Sequence, residues 1–396
     1  MNKYIILLLL SLFSLGLASA QPKLSEAARI SLMTSAPYEE EVFTVYGHAA
    51  LRVQDPKQGI DYIFNYGIFD FSKPNFIYRF AKGETDYRLG VANYPDYIIE
   101  YQMRGSDITE QVLNLTPGER ERVWQALLTN YRPENRVYRY NFFFDNCATR
   151  PAAIVEGQIA GTIDYHYPYA AQTFRNSINH CTRNHPWLTF GCDLALGSPT
   201  DRLATPHEMM FLPDYLREAF SKATVIAPDG TTRPLVSDTQ VIGAGEPDEP
   251  ERDVWDTLTP DRCAWLLFAG VLALTVWEWR RRRYLLPLDC LLFLLAGAGG
   301  VVLAFLGFVS EHPSTSPNWS LIWLHPLHLG AVILFCVKKL NKAAYYYHFI
   351  NFAALTLMLL AWHFIPQHLN TAFIPLVATL WLRSGWGVYR KKWRIV

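Results

Sequence analysis

Long apolar runs occupy the C-terminal third of the chain and define its architecture. Five of them have the length that the hydrocarbon core of a bilayer requires. They lie at 263–279, 284–309, 319–337, 343–364 and 371–389. The sequence therefore predicts an all-α membrane domain of five spans over 263–396, reached through a linker at 244–262 that is rich in glycine, proline and acidic residues.

Another apolar run opens the chain, from Ile5 to Leu17, between Lys3 and a small-residue segment that ends at Ala20. A basic start, an apolar stretch and small residues in this order predict a signal peptide over 1–20. Basic residues follow the first, third and fifth predicted spans, at 280–283, 338–342 and 390–394. The positive-inside rule makes those ends cytoplasmic, which places residues 21–243 and the loops near 310–318 and 365–370 on the outer face.

Alternation of apolar and polar residues predicts a β-hairpin in this outer part. Residues 48–54 and 60–66 alternate, and the segment between them is rich in turn-forming residues. Pairing Ala49 with Phe64 gives one apolar face, whereas a shift by one residue would mix apolar with charged side chains. That register places His48 opposite Asn65.

The charges of the chain balance, with 36 basic and 36 acidic residues. A net charge of zero gives no electrostatic attraction to a polyanion, so nucleic acid is not expected as a partner. The residue pattern also indicates no cofactor, and none is predicted.

Three of the six cysteines, Cys147, Cys181 and Cys192, fall in the outer part. Cys181 and Cys192 lie eleven residues apart in a polar stretch, a spacing that favours a local disulfide in an oxidising compartment. The alternatives are two free thiols or a metal site with His180 and His185, and the irregular spacing disfavours the metal. We therefore predict the disulfide and no metal site, which leaves Cys147 unpaired.

The surroundings of Cys147 are those of a nucleophile. Asn146 can cap the helix predicted after it, and a helix N-terminus stabilises a thiolate. A thiol nucleophile needs a base, which His48 can supply, and the base needs an orienting group, which Asn65 can supply. The alternative is structural, since a lone cysteine is often a small buried hydrophobe and a lone histidine on a strand is often part of the scaffold.

Asp61 and Asp70 are alternative orienting groups for the histidine. Asp61 is the stronger of the two, but the hairpin register places it opposite Arg52, which is a better partner for a carboxylate. Asp70 lies farther along the chain and is the weaker choice. Asn65 is therefore preferred.

Several short motifs together resemble one family. They are Tyr46-Gly47-His48, Asn65-Tyr66-Gly67, Phe80-Ala-Lys-Gly83, Pro133-Glu-Asn-Arg136 and Asp145-Asn146-Cys147-Ala148-Thr149-Arg150. With the multi-span tail, they resemble the lipoprotein N-acyltransferases of Bacteroidota, and a histidine ahead of an Asn-Cys pair resembles the circularly permuted papain-like fold of the NlpC/P60 superfamily. The resemblance implies an α+β permuted papain-like (NlpC/P60-like) extracytoplasmic domain over 21–243, followed by the all-α five-span membrane domain. Tyr46 and Asn146 are supporting candidates for the site.

The same resemblance implies acyl transfer at the bacterial inner membrane, with the catalytic domain in the periplasm. Cys147 would take a fatty acyl chain from a membrane phospholipid as a thioester, with His48 as base, and pass it to the α-amine of a diacylated lipoprotein. Two rivals are a membrane-tethered NlpC/P60-like amidase or peptidase of cell-wall peptides and a non-catalytic envelope binding protein. A site that opens toward the membrane through an apolar groove would favour the acyltransferase.

Polar residues in or beside the membrane spans are further candidates, because such groups are costly in a bilayer and are often functional. They are Glu311, His312, Asn318, His325 and His328. The first three fall in or near an outer loop, where ordinary solvation explains them equally well. His325 and His328 share one helical face at the outer end of the third span, where they could position a lipid head group.

Overall fold

The computed structural model describes residues 23–38, 44–69, 74–243 and 257–392. The signal peptide predicted over 1–20, most of the predicted linker and the candidate Asp70 lie outside these ranges. The N-terminal part combines sheet and helix, and the C-terminal part is helical.

An antiparallel sheet of seven strands forms the centre of the N-terminal domain, in the order β10-β5-β1-β2-β3-β4-β6. These strands are β1 (Arg29–Ser35), β2 (His48–Asp55), β3 (Ile60–Ile68), β4 (Asp86–Asn93), β5 (Ile108–Leu113), β6 (Val137–Arg139) and β10 (Val236–Ile242). A smaller sheet contains β7 (Thr162–Asp164), β8 (Thr224–Ile226) and β9 (Thr232–Pro234).

Helices cover both faces of the large sheet. They are α1 (Phe76–Lys82), α2 (Tyr94–Met103), α3 (Pro117–Tyr131), α4 (Thr149–Gln158), α5 (Phe174–Cys181), α6 (Pro186–Ala195) and α7 (Pro213–Lys222). On one face, Leu51 and Val53 of β2 join a core formed with α3, α4 and α7. On the other face, Ala50 packs with Tyr97 and Tyr101 of α2, so β2 is buried on both sides and can hold a side chain rigidly at its end.

Helix α3 illustrates how local sequence sets these elements. The Thr116 hydroxyl accepts a hydrogen bond from the N–H of Glu119 at 3.3 Å, and the Glu119 carboxylate accepts one from the N–H of Thr116 at 2.7 Å. Pro117 occupies the first turn, where its missing N–H is not needed. This reciprocal cap satisfies two backbone donors and fixes the start of the helix.

The β2–β3 hairpin forms, but in a register two residues from the predicted one. The structure pairs Leu51 with Phe64 and Arg52 with Ile63, whereas the sequence analysis paired Ala49 with Phe64. Side chains on a strand alternate with a period of two, so a shift of two leaves every residue on its predicted face. The apolar pattern therefore predicted correctly which face of the hairpin each side chain occupies, but it predicted the wrong residue pairs across the two strands.

Four segments of the C-terminal domain are helical, long and apolar enough to cross a membrane. They are Pro260–Arg281, Leu286–Phe308, Trp319–Cys336 and Lys338–Leu360. Their main helices are α8 (Pro260–Arg281), α9 (Leu286–Phe308), α10 (Leu327–Cys336) and α11 (Asn341–Leu360). The predicted fifth span corresponds to α12 (Phe373–Lys392), which is long enough at 20 residues but is not among the four segments apolar enough to cross a membrane in the described part of the chain.

Three predicted boundaries change. Helix α8 begins at Pro260 with Thr259 as its N-cap, so the linker ends before the predicted residue 262. The third predicted span is interrupted: a 3-10 turn covers Trp319–Ile322, and α10 starts only after Pro326, because proline lacks the N–H that a continuous helix would need there. The fourth predicted span, 343–364, begins earlier and ends as an α-helix at Leu360.

Several sets of contacts at the outer ends of the helices join the two domains, among them one at Glu311 and one at Gln367. In the first, the N–H of Glu311 donates to the carbonyl of Lys82 at 2.8 Å, and the His312 imidazole lies 2.9 Å from the carbonyl of Phe80. An ion pair between Arg139 and Glu311, at 2.8 Å, lies at its rim. We call this set the α1 contact.

The second set, which we call the Gln367 contact, is more buried. The Gln367 side chain donates to the carbonyl of Leu196 at 3.1 Å and accepts from the N–H of Trp319 at 2.8 Å. Asn318 donates to the carbonyl of Leu194 at 2.8 Å. These hydrogen bonds attach the C-terminal end of α6 and the residue that follows it to the outer loops of the helical domain.

Candidate active site

Cys147 lies in a tight turn immediately before α4, and Asn146 holds that turn. The Asn146 side-chain oxygen accepts from the N–H groups of Ala148 and Thr149 at 2.8 and 2.9 Å. Its NH₂ group donates to the carbonyls of Phe142 and Phe211 at 2.7 and 2.8 Å. The helix begins at Thr149, so Cys147 precedes the first turn instead of lying within it, and the buried amide of Asn146 leaves the thiol little freedom to move.

His48, the first residue of β2, forms a hydrogen bond with the Cys147 thiol. Burial by itself raises the pKa of this thiol, but the charge of His48, its hydrogen bond and the N–H of Ala49 outweigh burial, so the pKa of Cys147 lies below the ordinary value. Burial opposes the charged imidazole too, yet the Cys147 thiolate and the Asn65 side chain raise the pKa of His48. Both shifts favour the thiolate and the imidazolium, the charge states in which a cysteine nucleophile reacts.

Asn65, on β3, orients the imidazole. Its Oδ1 lies 2.6 Å from His48 Nε2, so this nitrogen is the donor and Nδ1 remains for the thiol. The structure therefore brings together the three side chains that the sequence analysis selected, Cys147, His48 and Asn65. A thiol, an imidazole and a side-chain amide in this arrangement are compatible with nucleophilic catalysis by a cysteine.

The alternative orienting group, Asp61, is occupied elsewhere. Its two carboxylate oxygens accept from Nε and Nη2 of Arg52, both at 2.8 Å. Arg52 also forms two hydrogen bonds with Glu110, at 3.1 and 2.9 Å, and its guanidinium lies 3.3 Å from the centre of the Tyr94 ring. Asp61 thus belongs to a structural cluster on the sheet.

The supporting candidate Tyr46 points away from the nucleophile. Its hydroxyl lies 3.7 Å from the sulfur of Cys192, and its ring packs edge-on against Phe142. The motif residue that does approach the site is Gly67, with φ of +94° and therefore in a conformation that favours glycine. A Cβ at this position would lie 3.6 Å from Cβ of Cys147 and 3.9 Å from the Tyr140 ring, so this turn brings the chain against the nucleophile.

The predicted disulfide is wrong for this structure, because Cys181 and Cys192 are both free thiols. Cys181 is the last residue of α5 and Cys192 lies within α6, so each thiol is held by its own helix. Burial raises the pKa of Cys181 to about 12, which makes it a poor nucleophile beside Cys147. Within 23–38, 44–69, 74–243 and 257–392, no group of three or more His, Cys, Asp and Glu side chains could hold a metal ion.

The polar candidates of the helical domain have structural partners. Glu311 and His312 form the α1 contact, and Asn318 takes part in the Gln367 contact. His325 and His328 stack with ring centres 3.8 Å apart, and His328 lies 2.5 Å from the Tyr347 hydroxyl and 3.0 Å from the carbonyl of Trp323. The two histidines therefore stabilise the interrupted third segment.

Arg383 stands out in the sequence as a polar residue of the membrane part, but sequence analysis did not predict the charged cluster to which it belongs. Arg383 of α12 pairs with Glu278 of α8 and with Asp289 of α9, and all three side chains are completely buried. Arg383 also donates to Thr275 at 2.8 Å. Glu278 and Asp289 lie near predicted span ends, where charged residues are common. Only their pairing with an arginine more than ninety positions away in sequence distinguishes them from ordinary charged residues at such ends.

These observations define a class of protein: a multi-pass membrane protein whose α+β domain carries a paired thiol and imidazole. Residues 23–179 match the family model described as the Lnb N-terminal periplasmic domain, and residues 251–393 match the one described as the Lnb transmembrane domain. The chain therefore belongs to the Lnb family and is a lipoprotein N-acyltransferase-like membrane protein with a periplasmic domain. The comparisons with curated proteins and with solved structures gave no match.

Proposed function

We propose that this protein transfers a fatty acyl chain from a membrane phospholipid, through a thioester on Cys147, to the α-amine of diacylglyceryl-cysteine lipoproteins. One observation carries the proposal: in a chain of the Lnb family, the imidazole of His48, hydrogen-bonded to Asn65, lies beside the Cys147 thiol and lowers its pKa. The same three residues could serve other acyl transfers, so the membrane domain is what favours a lipid donor.

In the first half-reaction, the Cys147 thiolate attacks the ester carbonyl of the phospholipid. The C–S bond forms as the bond to the glycerol oxygen breaks, and the leaving alkoxide takes the proton of the His48 imidazolium. The products are an acyl thioester on the protein and a lysophospholipid. The N-terminal end of α4 follows Cys147 and contributes a partial positive charge where negative charge develops.

In the second half-reaction, the neutral α-amine of the lipoprotein attacks the thioester carbonyl. The C–N bond forms as the C–S bond breaks, the thiolate leaves, and neutral His48 takes the proton of the amine. The thiolate–imidazolium pair is restored, so neither cofactor nor net oxidation is required. Asn65 keeps the imidazole in one orientation through both proton transfers.

The proposal includes a papain-like domain in permuted order and a membrane domain of five spans in the bacterial inner membrane. The histidine on strand β2 precedes the cysteine at the start of α4, and α4 packs against that strand. Helix α12 packs against α8 and α11, and its one buried arginine is matched by Glu278 and Asp289. A charge paired inside the bundle is compatible with a spanning helix.

The experiment is mass spectrometry of lipoprotein N-termini in cells that lack their own N-acyltransferase. Cells would express this chain, its Cys147→Ala variant, or Cys181→Ala as a matched control that removes a buried, unreactive thiol of the same domain. A third acyl chain on the amine that appears with the wild type and with Cys181→Ala, but not with Cys147→Ala, is the expected result. Free amines in all three, at normal protein levels, would refute the proposal and favour hydrolysis of cell-wall peptides.

A further inference from the structure

Helix α1 exposes a row of apolar side chains. Ile77 is 82% exposed, Tyr78 53% and Phe80 49%. Neighbouring apolar groups of this kind are uncommon on a surface that faces water alone and usually mark a contact with a partner or a membrane. The charged residues of the helix, Arg79 and Lys82, instead pair with acidic groups of the following segment.

The position of α1 identifies what it faces. The ring of Tyr78 lies 5.8 Å from the ring of Phe305, which belongs to the last turn of α9. A helix of 23 residues is roughly 34 Å long, and the hydrocarbon core of a bilayer is about 30 Å thick, so the two ends of α9 lie near the two membrane boundaries. Phe308, at the end of α9, is 78% exposed and continues the apolar surface of α1.

The α1 contact fixes this arrangement. The carbonyls of Phe80 and Lys82 are bonded to His312 and Glu311, the residues that follow α9. Gly83, with φ of +80°, allows the close approach, since a Cβ there would lie 3.3 Å from Glu311. Helix α1 is therefore held at the outer end of a membrane-spanning segment, at the depth where aromatic side chains prefer to lie.

A row of aromatic rings leads from α1 to the nucleophile. Ring centres are 6.1 Å apart between Phe80 and Phe76 and between Phe76 and Phe69, 5.1 Å between Phe69 and Tyr87, and 4.1 Å between Tyr87 and Tyr140. Tyr140 in turn lies beside Gly67 in the turn that contacts Cys147. The rings therefore form a chain of apolar contacts from Phe80, which is exposed at the membrane boundary, to Tyr87 and Tyr140 in the interior beside the thiol.

We infer that α1 inserts Ile77 and Tyr78 into the outer leaflet, and that the row from Phe80 to Tyr140 binds the acyl chain of the phospholipid donor and guides its ester to Cys147. The inference rests on the proposed function. It commits to the donor because the thiol must attack the carbonyl at the end of that lipid's own acyl chain, whereas the diacylated acceptor reacts through an amine outside its acyl chains.

Photo-crosslinking tests the path independently of turnover. The full-length Cys147→Ala variant would be placed in vesicles of phosphatidylethanolamine and phosphatidylglycerol that contain phosphatidylethanolamine with a diazirine at the end of one acyl chain. Adducts on α1 and on the rings of Phe69 or Tyr87, located by mass spectrometry, are the expected result. Adducts confined to the spanning helices would overturn the inference and leave the proposed function intact.

A pair of variants tests whether the path matters for the reaction. Ile77→Asp places a charge at the proposed membrane surface, and Val241→Asp places the same charge at a residue 64% exposed on β10, at the opposite edge of the sheet. We expect Ile77→Asp to reduce thioester formation from vesicle phospholipid about tenfold. Val241→Asp should form the thioester at the wild-type rate. Alkylation of Cys147 by iodoacetamide should be equal in both variants. Equal thioester formation in Ile77→Asp and Val241→Asp would overturn the inference. Full lipoprotein acylation by Cys147→Ala would overturn the proposed function instead.

Discussion

His48 Nε2 and Asn65 Oδ1 meet at 2.6 Å just beyond the point where the pairing of their two strands ends. The β2–β3 ladder runs only to Leu51 and Phe64, and the pairing of β3 with β4 shifts between Asn65 and Ile68. Such an irregularity bends a strand and redirects a side chain, and it is frequent beside active sites. The orienting amide therefore depends on a local break in the sheet.

Removal of that amide should slow acyl transfer. In Asn65→Ala the imidazole loses the acceptor of its Nε2 proton, so fewer molecules hold Nδ1 toward the thiol. We expect the rate to fall by a factor of about ten to a hundred, less than the loss in His48→Ala, because orientation is only a part of general base catalysis. The rate of lipoprotein N-acylation in proteoliposomes would measure it.

Asp61→Asn is the matched control for this prediction, since Asp61 lies on the same strand but pairs with Arg52. It should leave the rate within about twofold of wild type while lowering the midpoint of thermal unfolding, because Arg52 loses one charged partner. A larger loss of rate in Asp61→Asn than in Asn65→Ala would show that the carboxylate, not the amide, supports the histidine.

The pH dependence of thiol reactivity should reveal the Cys147–His48 pair. The pKa of Cys147 is lowered, so its thiolate is present above that reduced value and alkylation should continue at pH values where a free cysteine is largely protonated. In His48→Ala only backbone N–H groups would remain to oppose burial, which raises the pKa of Cys147, so the alkylation profile should move to higher pH. Iodoacetamide labelling followed by peptide mass spectrometry gives the rate at each pH.

Cys181 provides an internal reference for that measurement. Burial raises its pKa to about 12, so it should be labelled slowly across the whole range and should not respond to His48→Ala. An identical pH profile for Cys147 in the wild type and in His48→Ala would contradict the assignment of His48 as its partner.

The residues of the candidate site could be predicted from the sequence more accurately than the register of the two strands, β2 and β3, that position them. Alternation fixes the face of each strand residue, so Cys147, His48 and Asn65 could be selected. A shift of two residues keeps the same faces, however. Only the turn and the bend in β3 decide between the two registers. The aromatic row was not predicted, because Phe69, Tyr87 and Tyr140 lie on different elements and no local pattern relates them.

The two inter-domain contacts should differ in their effect on stability. Arg139 and Glu311 are about half exposed, and ion pairs of that kind contribute about 1 kcal/mol or less, so Arg139→Ala should change the free energy of unfolding little. Gln367 is buried and bonds to Leu196 and Trp319, so Gln367→Ala should cost about 1 to 3 kcal/mol. Denaturant unfolding in detergent would measure both changes, and limited proteolysis of the segment after α6 would show whether the domains separate. A larger effect of Arg139→Ala would mean that the α1 contact stabilises the interface more than the Gln367 contact does.

The buried charge cluster of the helical domain should respond more strongly. Arg383→Met removes the cation that pairs with both Glu278 and Asp289 and leaves two carboxylates without compensation inside the bundle. The expected loss is about 3 to 5 kcal/mol in the free energy of unfolding.

A triple variant, Arg383→Met with Glu278→Gln and Asp289→Asn, removes all three charges together and should recover much of that loss, since the cost comes from the uncompensated carboxylates more than from the missing arginine. Thermal unfolding in detergent, followed by size-exclusion chromatography, distinguishes the outcomes. If the triple variant is no more stable than Arg383→Met, the arginine acts through its bond to Thr275 and its packing, and charge balance is not what holds α12 against α8 and α9.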